Sequence, residues 1–151
     1  MFWYLVEQNR NLWYTTIDYI VTRGVIMGFW VFMLIMNLLI PTTMIWYGTH
    51  WVKNAPKEMN SLSGYRTTMS MKNRDTWDFA HHYCGRLLYK WGLRLIPITL
   101  ISMICIIGKN TDTVGTVGGI VCLVQMLPLV GVILPTEKAL HNNFDKYGNR
   151  R

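Results

Sequence analysis

The sequence predicts an all-α integral membrane bundle of three transmembrane helices plus amphipathic interfacial helices. Three observations carry that expectation. Three long runs are nearly free of charge in a chain of 151 residues that is 51% hydrophobic and 15% charged. The ionisable side chains are crowded into the segments between and beside those runs, and the 15 Lys and Arg, against 8 Asp and Glu, are divided unevenly among those segments. Runs of this length exclude a soluble enzyme core, a disordered tail and a coiled coil. A formal charge of +7 would ordinarily raise nucleic acid as a partner, yet a soluble binder has no use for bare apolar runs of spanning length. No nucleic acid is expected.

The elements divide the chain into an amino-terminal aromatic interfacial segment (1–23), a membrane domain (24–135) and a basic cytoplasmic tail (136–151). In 1–23, Phe2, Val6, Trp13, Ile17 and Ile20 fall near helical spacing, and Trp3/Tyr4 and Trp13/Tyr14 suit the wet edge of a bilayer, although Asn9 interrupts the apolar face. With no basic start, apolar run or small-residue cleavage site, this segment does not read as a targeting signal and belongs with the mature protein.

The first span is 24–47, without one acid or base, and as a helix it would be about 36 Å long. The second is 91–107, where Arg94 near one end can reach headgroups while the rest lies in hydrocarbon. The third is 114–134, again uncharged. Both uncharged runs suit roughly 30 Å of hydrocarbon. Each span holds one proline, Pro41, Pro97 and Pro128, so bends that shape packing are expected. Gly24/Gly28 and Gly115/Gly119 have the spacing that lets helix backbones approach, within a compact bundle or a homo-oligomer.

Orientation follows from the basic residues. Arg10, Arg23 and Lys109 fall on one side of the spans, and the other twelve on the opposite side. Those twelve lie in the 48–90 loop with its flanks and in the tail. Because basic loops resist translocation, the loop and the carboxyl terminus should be cytoplasmic and the amino terminus outside. The positive balance then reads as topology and as contact with the anionic lipid bilayer.

Chemistry-bearing constellations are sparse. Cys84, Cys105 and Cys122 are odd in number, two of them inside spans, so no disulfide framework is expected. His81, His82 and Cys84 lack a second matched pair and do not make a structural zinc site. No phosphate loop, zinc-protease pair or Ser/His/Asp set occurs. Asn37, Thr99, Ser102 and Gln125 are the notable polar groups at depth, and no acid lies there to relay protons. Neither an enzyme nor a cofactor nor a metal is expected.

The 48–90 loop departs most from what a connector needs. Residues 53–63 read as flexible linker. From Asp75 onward Trp77, Ala80, Cys84, Leu87, Leu88 and Trp91 recur at helical spacing, with Asn73 or Asp75 as the cap. This helix, feeding into the second span, would be longer than the hydrocarbon requires, so part of it should project or lie flat.

Ahead of that helix stands GYRTTMSMKNRDTW, residues 64–77. Gly64, Tyr65, Arg66, Thr67, then Ser70, Met71, Lys72, Asn73, then Trp77, followed by two hydrophobic spans, resembles the signature of the SdpI family. Its named member is an immunity protein against a sporulation-delaying peptide toxin. The likeness covers roughly 60–135. It implies a bacterial cell-membrane protein that protects its producer from a membrane-active peptide toxin or bacteriocin by stoichiometric binding. The nine motif residues would then contact a partner or lipid.

On physical grounds, Gly64 permits a tight turn, Arg66 offers a five-donor fork for a phosphate or carboxylate, and Thr67, Ser70 and Asn73 can bond backbone or headgroup oxygens. The alternative is a fold-closing motif in which Arg66 pairs with Asp75 or Asp78 or caps a helix end. An alternative function is a signalling or scaffold subunit that holds a cytosolic protein partner through the basic inner face.

Overall fold

The computed structural model describes residues 2–54 and 64–151, and the side chains within 2–54 from Trp13 onward together with Glu7. Four helices follow in order: α1 (Phe2–Lys53), α2 (Arg74–Ile104), α3 (Thr111–Gly131) and α4 (Ile133–Asn143). Among the described residues the only β-type pairing is an isolated antiparallel bridge between Phe144 and Arg150. Three helices are long and apolar enough to cross a membrane: α1, α2, and α3 running on into α4. The all-α membrane bundle is therefore the observed architecture.

The amino-terminal segment and the first span are one object. α1 runs through 52 residues, about 78 Å at the rise of an α-helix, because no proline precedes Pro41 and the isolated glycines at 24 and 28 do not stop a helix. Its amino-terminal part therefore continues in line with the span instead of lying as a separate interfacial helix. The expected contributions of Phe2, Trp3, Tyr4, Val6 and Asn9 lie outside the described side chains, and the linker expected at 53–63 lies outside the described residues from 55 onward.

α2 starts where the sequence puts it. The Asn73 side chain accepts from the Thr76 amide at 2.9 Å while the Thr76 hydroxyl accepts from the Asn73 amide at 3.1 Å, a reciprocal capping box that satisfies two orphan donors. Asp75 in the first turn complements the helix dipole. α3 is capped by Asn110, which accepts from the Thr113 amide at 3.0 Å. All three helices continue through their prolines. Arg94 is exposed, its guanidinium 5.4 Å from the centre of the Trp91 ring.

The bundle packs through small residues, as it must where lipid removes most of the hydrophobic drive between helices. The ones that serve are Gly48, Gly85 and Gly92. A Cβ on Gly48 would stand 2.6 Å from the Tyr89 amide nitrogen, and one on Gly92 would stand 2.9 Å from the Pro41 carbonyl oxygen. Gly24, Gly28 and Gly119, expected from their spacing to mediate close approach, have nothing within 4 Å of such a Cβ, and Gly115 has only ordinary contact with Phe29. The difference lies in the partner backbone, which sequence spacing on one helix does not specify.

Two cores form. One, of Trp30, Met103, Ile106 and Val114, closes the end near the 105–110 turn, where the Trp30 indole donates to the Met103 carbonyl at 2.8 Å. The other, which includes Met44, Tyr65, Cys84, Leu88, Leu140 and Phe144, lies at the end where the 64–77 segment sits. Between them the Gln125 amide donates to the Thr99 hydroxyl at 2.6 Å, joining α3 to α2 at depth. On the outside, Leu123, Leu127 and Leu134 are 70%, 71% and 77% exposed. Apolar exposure on that scale makes sense only against lipid.

Candidate functional site

The 64–77 segment folds as a compact cap over the end of the bundle. Gly64 has φ of +131°, a region L side chains rarely adopt, and a Cβ there would lie 2.5 Å from Nε2 of His81 and 3.1 Å from the Trp77 ring. Glycine is thus required both by backbone and by space. Its position lets the next amide, that of Tyr65, donate to Nε2 of His81 at 2.9 Å. The other ring nitrogen of His81, Nδ1, lies 2.8 Å from the Trp77 carbonyl oxygen. An amide N–H can only donate and a carbonyl can only accept, so the imidazole is neutral with its proton on Nδ1. Burial holds His81 below its ordinary range, in agreement with that assignment. His81 also stacks obliquely on Trp77, with ring centres 4.3 Å apart, and meets Trp51 of α1 edge-on at 5.2 Å.

The Tyr65 side chain reaches the far side of the bundle. Its hydroxyl is 3.0 Å from Glu137 Oε1 and 3.2 Å from the Ile133 carbonyl oxygen, both at the start of α4. Burial and the neighbouring carboxylate push this phenol above its usual range, so it stays a donor. Thr67 and Ser70 form a reciprocal pair, each hydroxyl accepting from the other's amide, at 2.9 and 3.2 Å. The Ser70 hydroxyl lies 3.1 Å from the Tyr65 carbonyl. Fully buried Thr76 ties the Ser70 carbonyl to the start of α2.

The carboxyl tail closes over this cap. The Asn73 side-chain nitrogen Nδ2 donates to the Gly148 carbonyl at 2.7 Å, and the Lys72 ammonium donates to the Lys146 carbonyl. The tail turn is held by Asp145, whose Oδ1 accepts from the amides of Tyr147 and Asn149 at 2.8 Å each. These bonds hold its carboxyl below the ordinary carboxylate range. Phe144 packs edge-on against Phe79 with ring centres 5.4 Å apart. The segment 136–151, expected as a basic tail, is in its first half a helix that buries Thr136 and Leu140.

The nine motif residues therefore have different fates. Gly64, Tyr65, Thr67, Ser70, Asn73 and Trp77 converge on the cap and its hydrogen bonds, and Lys72 holds the tail. Met71 and Arg66 face outward. Arg66 makes no ion pair or hydrogen bond among the described residues, and the fold-closing pairing with Asp75 or Asp78 does not occur. Asp78 is taken instead by Arg74, two contacts of 3.0 Å one helical turn away.

Arg66 stands at the rim of a cleft of about 620 Å³ formed where α1, the cap, α2 and the α3–α4 junction meet. Met44, Leu88, Leu129 and Val132 supply much of its apolar wall. Among the described residues, no group of three or more His, Cys, Asp and Glu could hold a metal. The pair that invited a metal reading is otherwise engaged: both His81 nitrogens are used, and Cys84 is a buried core residue.

The SdpI/YfhL protein family matches residues 57–136, the stretch containing the cap, α2, α3 and the start of α4. The chain belongs to this family. No curated protein and no solved structure matches it. With three spanning helices, this member of the SdpI/YfhL family is a multi-pass membrane protein of immunity type. The match ends one residue before Glu137, so the carboxylate acceptor of Tyr65 and the tail residues gripped by Lys72 and Asn73 lie outside it, as does α1.

Sequence reading missed His81 as the acceptor for the loop, Glu137 as the Tyr65 partner and Gly148 as the Asn73 partner. None carries a local signal, because the pairs are 16, 72 and 75 residues apart. The composition of Asp145-Lys-Tyr-Gly148-Asn would have marked a turn, though not what the turn grips.

Proposed function

We propose that this chain protects the cell that makes it from a membrane-active peptide toxin or bacteriocin, by stoichiometric binding and not by catalysis. The observation that carries the reading is the SdpI/YfhL match over 57–136, which spans the capped loop and the two helices after it. The geometry of the cap supports the non-catalytic part. His81, the one buried candidate base in the cap, has both nitrogens committed to backbone groups, so it offers no free site to a substrate proton. The lipid-facing side of α1, with Val31, Phe32, Ile35 and Leu39 exposed, gives an apolar peptide in the bilayer a surface to lie against, so that it is titrated out before it permeabilises the membrane. In this reading the amino terminus is outside and the capped loop, α4 and tail are cytoplasmic, the arrangement favoured by the distribution of Lys and Arg.

The test is expression in a sensitive strain followed by challenge with the cognate peptide. Protection that rises with the membrane level of the protein and saturates when toxin exceeds it is expected. Unchanged killing at verified membrane levels rejects the proposal.

A further inference from the structure

We infer that the cleft beneath Arg66 is a binding site for one anionic phospholipid, with an acyl chain against the apolar wall and the phosphate on the guanidinium. The cleft volume of about 620 Å³ falls among those of small-molecule sites, roughly 300–1,000 Å³. Its wall is built by Met44 of α1, Leu88 of α2, Leu129 of α3 and Val132 at the α3–α4 junction. Arg66 is the one charged residue lining it among the described residues. An apolar trough with a single cation at its rim matches an amphiphile with a single anion.

Depth points the same way. Tyr47 and Trp51 of α1 also line the cleft, and with the exposed Trp46 they form a cluster of amphipathic rings at one end of the span, where such rings sit at headgroup level. Arg66 is therefore placed where a lipid phosphate lies, and its planar fork suits two phosphate oxygens at once. Anionic lipid is already the counterpart of the basic face that carries Arg66.

A polypeptide fits the cleft less well. A peptide backbone entering there brings donors and acceptors that must be met, and three hydroxyls of the wall, those of Thr43, Tyr65 and Thr67, are already bonded. Tyr65 donates toward Glu137 or Ile133, Thr67 is paired with Ser70, and Thr43 bonds the Ile40 carbonyl. A hydrocarbon chain makes no such demand.

The purified full chain in a neutral detergent is titrated with dioleoyl phosphatidylglycerol or with phosphatidylcholine bearing the same chains. Thermal unfolding and lipid retention in native mass spectrometry are the readouts. One phosphatidylglycerol per chain should be retained in preference to phosphatidylcholine, and its saturation should raise the unfolding midpoint by about 5 °C or more. Arg66→Gln should reduce the preference for the anionic lipid at least tenfold while leaving the unliganded midpoint unchanged, since the side chain is exposed and makes no hydrogen bond or ion pair among the described residues. Leu129→Trp, which fills the trough, should abolish retention of both lipids, whereas Lys109→Gln at the other end of the bundle should behave as wild type. If Leu129→Trp fails to fold, Arg66→Gln decides alone. Equal retention of the two lipids by the wild type overturns the inference, as does an Arg66→Gln chain that keeps the full preference. So does an apolar peptide with a free carboxylate that displaces bound phosphatidylglycerol and is itself lost on Arg66→Gln.

Discussion

The amide of Tyr65 donates to Nε2 of His81 at 2.9 Å, and this bond makes the loop a cap instead of a connector. It fixes the imidazole as neutral, and burial keeps it so. A base whose folded pKa lies below its ordinary value of 6.5 contributes stability that is complete above that value and lost as pH falls through the folded one. The thermal midpoint in detergent should therefore be flat from pH 8 to 7 and decline from about 6.5 downward. His81→Leu should remove that part of the decline and cost about 1–3 kcal/mol at pH 7 by orphaning the Tyr65 amide. A variant with an unchanged pH profile would contradict the assignment.

Gly64 is the position where the cap tolerates no side chain. Gly64→Ala places a methyl 2.5 Å from the His81 ring nitrogen and forces an alanine into a left-handed conformation, itself worth about 1–3 kcal/mol. The variant should lower the midpoint by more than His81→Leu does, and Trp fluorescence should shift to the red as Trp77 becomes wetter.

The glycines of α1–α3 should divide into two sets. Gly48→Val and Gly92→Val put atoms into the opposing backbone and should abolish the folded bundle, read as loss of monodisperse elution. Gly24→Ala and Gly119→Ala meet nothing and should be neutral or stabilise by about 0.5–1 kcal/mol through helix propensity. A Gly24 variant as damaging as Gly48 would place a helix contact where the structure has none.

Asn73 serves two elements at once, capping α2 and gripping the tail at Gly148. Asn73→Ala should cost about 1–2 kcal/mol and expose the Lys146 and Arg150 bonds to trypsin at a rate several times that of wild type. Acid should loosen the same tail. The Asp145 carboxyl titrates below its ordinary 3.8, so the turn is intact above that value and opens as pH falls through the lower folded one. Pepsin cleavage of the tail at pH 2 against pH 4 tests this.

The three spans and the start of α2 were legible because they answer to local rules. A bilayer demands about 20 apolar residues per helix, and Asn73 with Thr76 announces a cap within four positions. The motif was legible as a string, yet its workings were not. Arg66 looked like a clamp for Asp75 or Asp78, but Arg74 is one turn from Asp78 and takes it at 3.0 Å, leaving Arg66 outward. In the sequence His81 is only a histidine short of a metal set, and its part as acceptor for the Tyr65 amide, 16 residues away, carries no local signal. The join of 1–23 to the first span went unseen because aromatic pairs suggest an interface and are equally at home on a helix that runs on.

In the proposed topology the chain crosses the membrane three times, with the cap and tail inside. In a cysteine-free background, Tyr14→Cys and Tyr147→Cys, both exposed positions, are treated in intact cells with a membrane-impermeant maleimide. Labelling at 14 but not at 147 until the cells are opened is the predicted result. Labelling of both, or of neither, would place the two ends in one compartment and contradict it.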